Sequence, residues 1–552
     1  MKYRLNAPAM RPQCSGNAVG MQLGGEAGDA MDDSIVIATW TGRLANGLKL
    51  ALRMSTEAFA ETLGAAPRTV AGWGENPDIV PGNVMQAALD TLLSKADNDT
   101  KKRFALLVYG RAAQAGSKEM PTASDLLTGQ LVGWVDLHAG WQPGTAQLKL
   151  DAFLAQMTPH QALQRAAKRS RVTRNTIAFA LNQIYESLEG EHHLYVARCR
   201  HTEIATSILT SREWTKLVVP LGHGEDTLTM SPSSAPLLEL DAKAATAAVY
   251  RIAESVSLQT RVFNAALYCL TDIEVTASRI SGQVWLGQFT DYMLTLDLLE
   301  TELIDALLDG GGDLTWSRLP LREHYLGSIE QALNLKHRLC AGGALALLAI
   351  ARPPARGHGP DYAIVVQERS ARVLNAAGRL AVIPKAFHQP LADFSDDAQL
   401  SATLEREFEE ELLGREELEL AAGPGQRLDP LHRSRLSEPM RWLADRRGSD
   451  VWRTECTGFG LNLISGNYEF ASLITIEDEQ WWTLFGGQLV TNWEAGGIRI
   501  YSSLDVEGIA TLINDERWSN EGLFAFLQGI RHLAQIGGHR VNLPSIELEY
   551  DK

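Results

Sequence analysis

The sequence predicts a multidomain α+β protein: all-α at the N-terminus, mainly helical through the middle, and dominated by strands toward the C-terminus. Three observations lead there. The chain has 552 residues, too many for one hydrophobic core. Apolar residues recur at helical spacing from Gly42 to about Leu93, broken by short polar turns. From Leu339 onward, apolar runs such as "GALALLAIA", "DYAIVVQERS" and "YEFASLITIED" read as strands. The expected divisions are an extension (1–40), a helical domain (41–109), a linker (110–146), a mainly helical middle (147–338) and a strand-rich C-terminal domain (339–552).

The extension is rich in Gly, Ala and Met, lacks periodicity, and has neither the basic start nor the apolar centre of a signal peptide. Disorder is expected there, and Met31, before "DDSIVIATW", is read as a natural start. At 45% apolar and 21% charged, the whole chain is not a disordered one. Its strongest apolar run, "LCAGGALALLAIA", is too short to span a bilayer, so no membrane partner is expected. Five scattered cysteines without CxxC spacing fit a reducing cytoplasm and give no zinc site. With a net charge of −16, any nucleic-acid contact must come from a local patch.

In the helical domain, "STEAFAETLG-AAPRTVAGW" places two short helices around a tight turn. Ser55 is the expected N-cap, Gly64 the stop and Pro67 the first residue of the next helix. Phe59, Leu63, Val70 and Trp73 form the expected small core. The segment resembles the XRE/lambda-repressor-like helix-turn-helix family, which lays its second helix in the major groove of double-stranded DNA. That resemblance makes Arg68 and Thr69 the candidate DNA contacts; the alternative is a helical bundle that binds protein. Residues 42–110 hold eight basic and seven acidic side chains, whereas phosphate affinity needs an excess of cations. "RAAKRSRVTRNT" supplies that excess. Arg169, Arg171 and Arg174 are candidate DNA contacts in a second helix-turn-helix, with a turn at Val172-Thr173. The alternative is a basic face that pairs with the acidic body. The middle region continues with strand-like "HLYVARCRH", "WTKLVVPLG" and "RISGQVWLG" among helices. The linker assignment for 110–146 rests on its Gly, Ser, Pro and Thr content.

The stretch "LEREFEEELLG" carries the most specific chemistry. As a helix, it places Leu404, Phe408 and Leu412 on one apolar stripe. Glu407, Glu410 and Glu411 fall at i, i+3 and i+4 on another face, where like charges repel unless a cation joins them. Mg²⁺ prefers such carboxylate oxygens with phosphate and water. Arg406, Glu407, Phe408, Glu410 and Glu411 match the R-E-U-x-E-E half of the Nudix box, so the region from 339 resembles a Nudix domain, which implies an α/β/α sandwich there. The remaining box positions fall on Ala392, Ala398 and Leu413. The resemblance implies Mg²⁺ held by Glu407, Glu410 and Glu411, with Glu407 and Glu411 as the catalytic pair. It also implies a nucleotide or other diphosphate ligand. Arg406, with Lys385, His388 and Gln389 of the preceding "PKAFHQP" loop, is a ligand-binding candidate. Asn467, Tyr468, Arg441, Trp442, Trp493 and Glu494 are weaker candidates. The chain as a whole resembles large actinobacterial XRE-type regulators.

The functional expectation is a cytoplasmic, homodimeric DNA-binding regulator whose Nudix-like part senses a nucleotide-like ligand. A Mg²⁺-dependent hydrolase with a helical interaction head is the alternative.

Overall fold

The computed structural model describes residues 40–549, omitting 77–78, 97–99, 102–103, 105–122, 186–189, 232–237, 261, 263, 311–313, 356, 358, 370–377, 391–393, 414–435, 447–448 and 490–494. The first unit comprises α1 (Gly42–Ala51), α2 (Thr56–Leu63), α3 (Pro67–Glu75) and α4 (Asn83–Lys95). Local chemistry sets its ends. Ser55 Oγ accepts the Ala58 N–H at 3.1 Å, Gly64 adopts a left-handed φ of 64°, and Pro67 opens α3. Phe59, Leu63, Val70 and Trp73 are buried together as expected, with Trp40, Leu48, Leu89 and Phe104. Trp40, assigned above to the extension, belongs to this core: its indole donates to Asp90. Residues 1–39 lie outside the described part.

The rest is mixed α/β. It begins with α5 (Ala123–His138), α6 (Thr145–Gln156), α7 (Pro159–Arg169) and α8 (Arg174–Ile184). Next come β1 (His192–Cys199), β2 (Thr202–Ser211), β3 (Val219–Pro220), β4 (Asp226–Met230) and α9 (Ala242–Leu258). A hairpin of β5 (Ala266–Thr276) and β6 (Arg279–Gln288) leads into α10 (Phe289–Met293), α11 (Asp297–Leu308), α12 (Pro320–Leu326) and α13 (Ile329–Leu333). Then follow β7 (Gly342–Arg352), β8 (Asp361–Arg369), β9 (Leu380–Val382), β10 (Lys385–Phe387), α14 (Leu400–Glu407) and α15 (Glu438–Ala444). The last elements are β11 (Trp452–Asn462), β12 (Asn467–Ile476), α16 (Glu479–Phe485), β13 (Ala495–Ser502), α17 (Val506–Ile513), α18 (Asn520–Ile536) and β14 (Ile546–Leu548).

One large sheet runs in the order β13-β8-β7-β12-β11-β2-β1-β14, with β10 also on β7, β9 on β8 and β3 on β11. Strands β7 and β12 run parallel. Strand β7 is buried on both faces, hence its unbroken apolar sequence. Ala344, Ala346, Leu348 and Ile350 enter one core, which reaches from Leu131 to Phe485. Leu345, Leu347 and Ala349 enter the other, beneath α17 and α18. A small sheet, β4-β6-β5, shares the first core.

Two expected boundaries are corrected here. The division at 338/339 cuts through a single sheet, because β2 pairs with β11 through Leu209↔Leu461 and Ile208↔Asn462. The end of the expected linker is the helix α5, which buries Leu131, Val132 and Val135. Its Gly129 and Gly133 lower helix propensity by about 1 kcal/mol each, and core packing overrides them. Among the described residues, no helix is long and apolar enough to cross a membrane.

Candidate functional site

Helix α14 is held from both ends. No side chain of its own caps its start. Instead, the Asp226 carboxylate of β4 lies under the N–H groups of Leu400 and Ser401, and accepts the Gly222 N–H at 2.9 Å. Burial pushes the Asp226 carboxyl up, and those N–H groups work against the rise. Replacing it, Asp226→Ala, is expected to cost about 1–3 kcal/mol, because the Gly222 N–H loses its acceptor. The urea midpoint of the purified protein reads this out.

The stripe of Leu400, Leu404, Phe408 and Leu412 is fully buried, as its spacing predicts. The acidic face is not as predicted. After Glu407 the helix widens into one π-turn, Phe408–Leu412, which re-aims the side chains that follow. Glu407 Oε1 accepts from Arg406 Nε at 3.0 Å and Nη2 at 2.8 Å. Glu409 takes the N–H and hydroxyl of Ser437, the cap of α15, at 2.5 and 2.7 Å. Glu411 Oε2 accepts the Lys385 backbone N–H at 2.8 Å. Glu407, Glu409 and Glu411 are thus spread over separate protein donors. Among the described residues, no three Asp, Glu, His or Cys groups are placed to hold a metal ion. The Mg²⁺ expected on Glu407, Glu410 and Glu411 therefore carries no step of the chemistry below.

The expected ligand residues do meet. Arg406 Nη1 donates to the Gln389 carbonyl at 3.2 Å, and Glu411 ties α14 to β10. Yet each cation is already answered: Arg406 by Glu407, and Lys385 Nζ by Glu521 in the first turn of α18. His388 is fully buried. Its Nδ1 lies 3.1 Å from the Tyr468 hydroxyl, and its ring packs 4.5 Å from Tyr268. Burial, with Arg406 nearby, pushes its pKa down to about 3. A neutral histidine packed against two tyrosines serves the core here, and its Nε2 is buried without a hydrogen-bond partner.

Of the three arginines expected to face DNA from the second helix-turn-helix, two are used internally. Arg169 grips Asp305 with Nε and Nη2, both at 2.6 Å, and Glu254 with Nη1 at 2.9 and 3.0 Å. Arg174 is 3% exposed and donates to the Ala205 carbonyl; burial pushes it down to about 10. Only Arg171 of the three is exposed. The pair α7-turn-α8 has the expected shape, but Ile177, Ala178, Leu181 and Ile184 of α8 are buried and the helix packs on β2. Arg68 and Thr69, by contrast, are exposed in the first turn of α3. Trp442 donates to Asp478 at 2.8 Å, a structural bond; Trp493 and Glu494 lie outside the described residues.

The sequence reading missed an acidic group at the end of the sheet. Strand pairing sets Glu469 beside Gly343, and Lys385 beside Leu345, on the face covered by α18. Gly343 is required there, because a Cβ would come within 2.1 Å of the Ala386 carbonyl oxygen. Burial, then the Glu521 carboxylate, pushes Glu469 well above the usual carboxyl range. Burial acts on Glu521 the same way, but Lys385 overcomes it and holds Glu521 low. Glu300 of α11, half-buried, is raised to about 7 by burial, Asp297 and Glu521. Carboxyls whose surroundings drive their pKa values apart mark a candidate site. The visible signal was one acid inside "YEFASLITI". Compared with models of known protein families and with curated proteins, the chain matches none.

Proposed function

We propose that the chain is a cytoplasmic, DNA-binding transcriptional regulator, acting as a homodimer, with α2 and α3 as the DNA reader and the α/β body as its ligand-responsive part. The supporting observation is the division of α3. Val70 and Trp73 are buried and fix the helix against α2, while Arg68 and Thr69 stand exposed on its first turn. The N-terminal turn of the second helix is where this motif meets base edges. Dispersal of Glu407, Glu409 and Glu411 onto protein donors favours ligand binding over hydrolysis in the body.

Selection from a random duplex pool with the full chain, followed by anisotropy titration, tests the reading. A preferred sequence is expected, and Arg68→Ala should weaken binding by about tenfold, within the 1–3 kcal/mol of a base contact. An Arg68→Ala/Thr69→Ala variant with unchanged affinity, or a pool with no enrichment, refutes it.

A further inference from the structure

We propose that β13, the strand at one edge of the large sheet, is a dimer interface. It pairs antiparallel with β13 of a second copy, so that one sheet runs through both protomers. The proposal rests on the homodimer of the reading above and names its contact, which that reading leaves open.

Strand β13 pairs with β8 on one side only. The Ser503 N–H donates to the Tyr362 carbonyl at 3.0 Å, so the backbone of Ser503 faces β8. Backbone groups alternate sides along an antiparallel strand. Tyr501 and Arg499 therefore also face β8, opposite Ile364 and Val366, and Ile498, Ile500 and Ser502 face outward. Among the described residues, no backbone hydrogen bond uses the outward N–H or C=O of Ile498 or Ile500. The Ser502 carbonyl accepts the Asp505 N–H at 3.1 Å, which leaves its N–H open. Such an edge is a template for another strand. The usual guards are lacking: Ala495–Ser502 holds no proline or lysine, and Arg499 is answered by Glu368 of β8 at 2.7 Å.

The side chains favour a second copy as the occupant and fix its register. Outward residues must meet outward residues across a two-fold axis. An axis at Arg499 sets two arginines opposite each other, and like charges there cost stability. An axis at Ile498 draws in the bulge between Ala495 and Gly497, and one at Tyr501 runs past the strand's end at Ser502. An axis at Ile500 has none of these faults. Ile500, 37% exposed, then covers its own copy on the face of the first core. On the other face Arg499 meets Tyr501 of the second protomer, a cation against a ring. The Ile500 N–H donates to the Ile500 carbonyl across the axis, and the Ser502 N–H to the Ile498 carbonyl; symmetry repeats both. A strand from an unrelated protein would satisfy the backbone without this match of side chains.

Sedimentation equilibrium of the full chain, without DNA, tests the interface. A reversible dimer is expected. Ile500→Lys sets charge against charge at the axis. Ile500→Pro removes the outward N–H and leaves the ladder to β8 its donors. Each should raise the dimer Kd by at least about tenfold, the scale of losing two symmetry-related hydrogen bonds. Because position 500 is already exposed, Ile500→Lys keeps the test open where the proline disturbs folding. Cross-linking checks the register. Ile500→Cys places two Cα atoms about 5.5 Å apart, within disulfide reach. A mild oxidant should therefore join its copies well beyond the unsubstituted chain, and Arg499→Cys, two residues out of register, should show no such gain. A monomer overturns the interface and the homodimer together. A dimer with unchanged Kd in both Ile500→Lys and Ile500→Pro overturns the interface alone. So does cross-linking no better in Ile500→Cys than in Arg499→Cys. Failure of DNA selection leaves the interface standing.

Discussion

Arg322→Met is expected to destabilise the α/β body by about 3–5 kcal/mol, because three buried carbonyls each lose a donor and the turn relaxes only in part. Arg322 has no exposed surface, and its guanidinium serves the turn between β11 and β12. Nη1 donates to the Leu463 carbonyl. Nη2 donates to Ile464 at 2.6 Å and to Leu299 of α11 at 3.1 Å. Methionine keeps the apolar stem but supplies no donor. Three buried carbonyls then lose their partner, each a loss of about 1–3 kcal/mol before relaxation. Arg338 grips the far side of the same turn, donating to Gly466 at 2.7 Å, so the turn should loosen without unfolding. Urea midpoints measure the loss, and hydrogen exchange at residues 463–468 localises it. A change below about 1 kcal/mol, outside the range above, would show that the turn holds without the arginine.

What the sequence disclosed was what neighbouring residues decide. Ser55, Gly64 and Pro67 punctuate helices through their own backbones, so α2 and α3 could be read directly. The apolar stripe from Leu404 to Leu412 and the buried strand β7 are equally local. What stayed hidden depends on residues far along the chain. The basic run at 165–174 looks alike throughout. Arg169 turned inward because Glu254 and Asp305 arrive from two later helices, while Arg171 had no such destination. The acidic run was misjudged through one assumption, regular α-helical spacing; a π-turn broke it at Phe408. The boundary at 338/339 failed because strand partnership, here β2 with β11, leaves no mark in local composition. Glu469 was visible as an acid in an apolar strand. Its partners Lys385, Glu521 and Asn462 come from β10, α18 and β11, so the cluster was not.

Glu300→Gln should make the protein's stability less sensitive to pH between about 4.5 and 7. In the unfolded chain this carboxyl ionises near its ordinary value of 4.5, whereas in the fold it is raised to about 7. Below 4.5 both states hold the proton and neither is favoured. As the pH climbs, the unfolded state gives up its proton while the folded state retains it, so stability falls across this window. Above 7 both are ionised and the loss stops growing. Moving one carboxyl from 4.5 to about 7 corresponds to about 3 kcal/mol. Asp297 and Glu521 drive the rise after burial, and Arg251 and Arg379 oppose it. Glutamine keeps the shape and has no proton to lose. Glu469 titrates in the same direction and Glu521 in the opposite one, so the informative quantity is the difference between variant and wild type. Urea midpoints at pH 5 and pH 7.5 should converge on the acid side and separate in favour of Glu300→Gln on the basic side. Parallel curves would mean that Glu300 ionises freely in the fold.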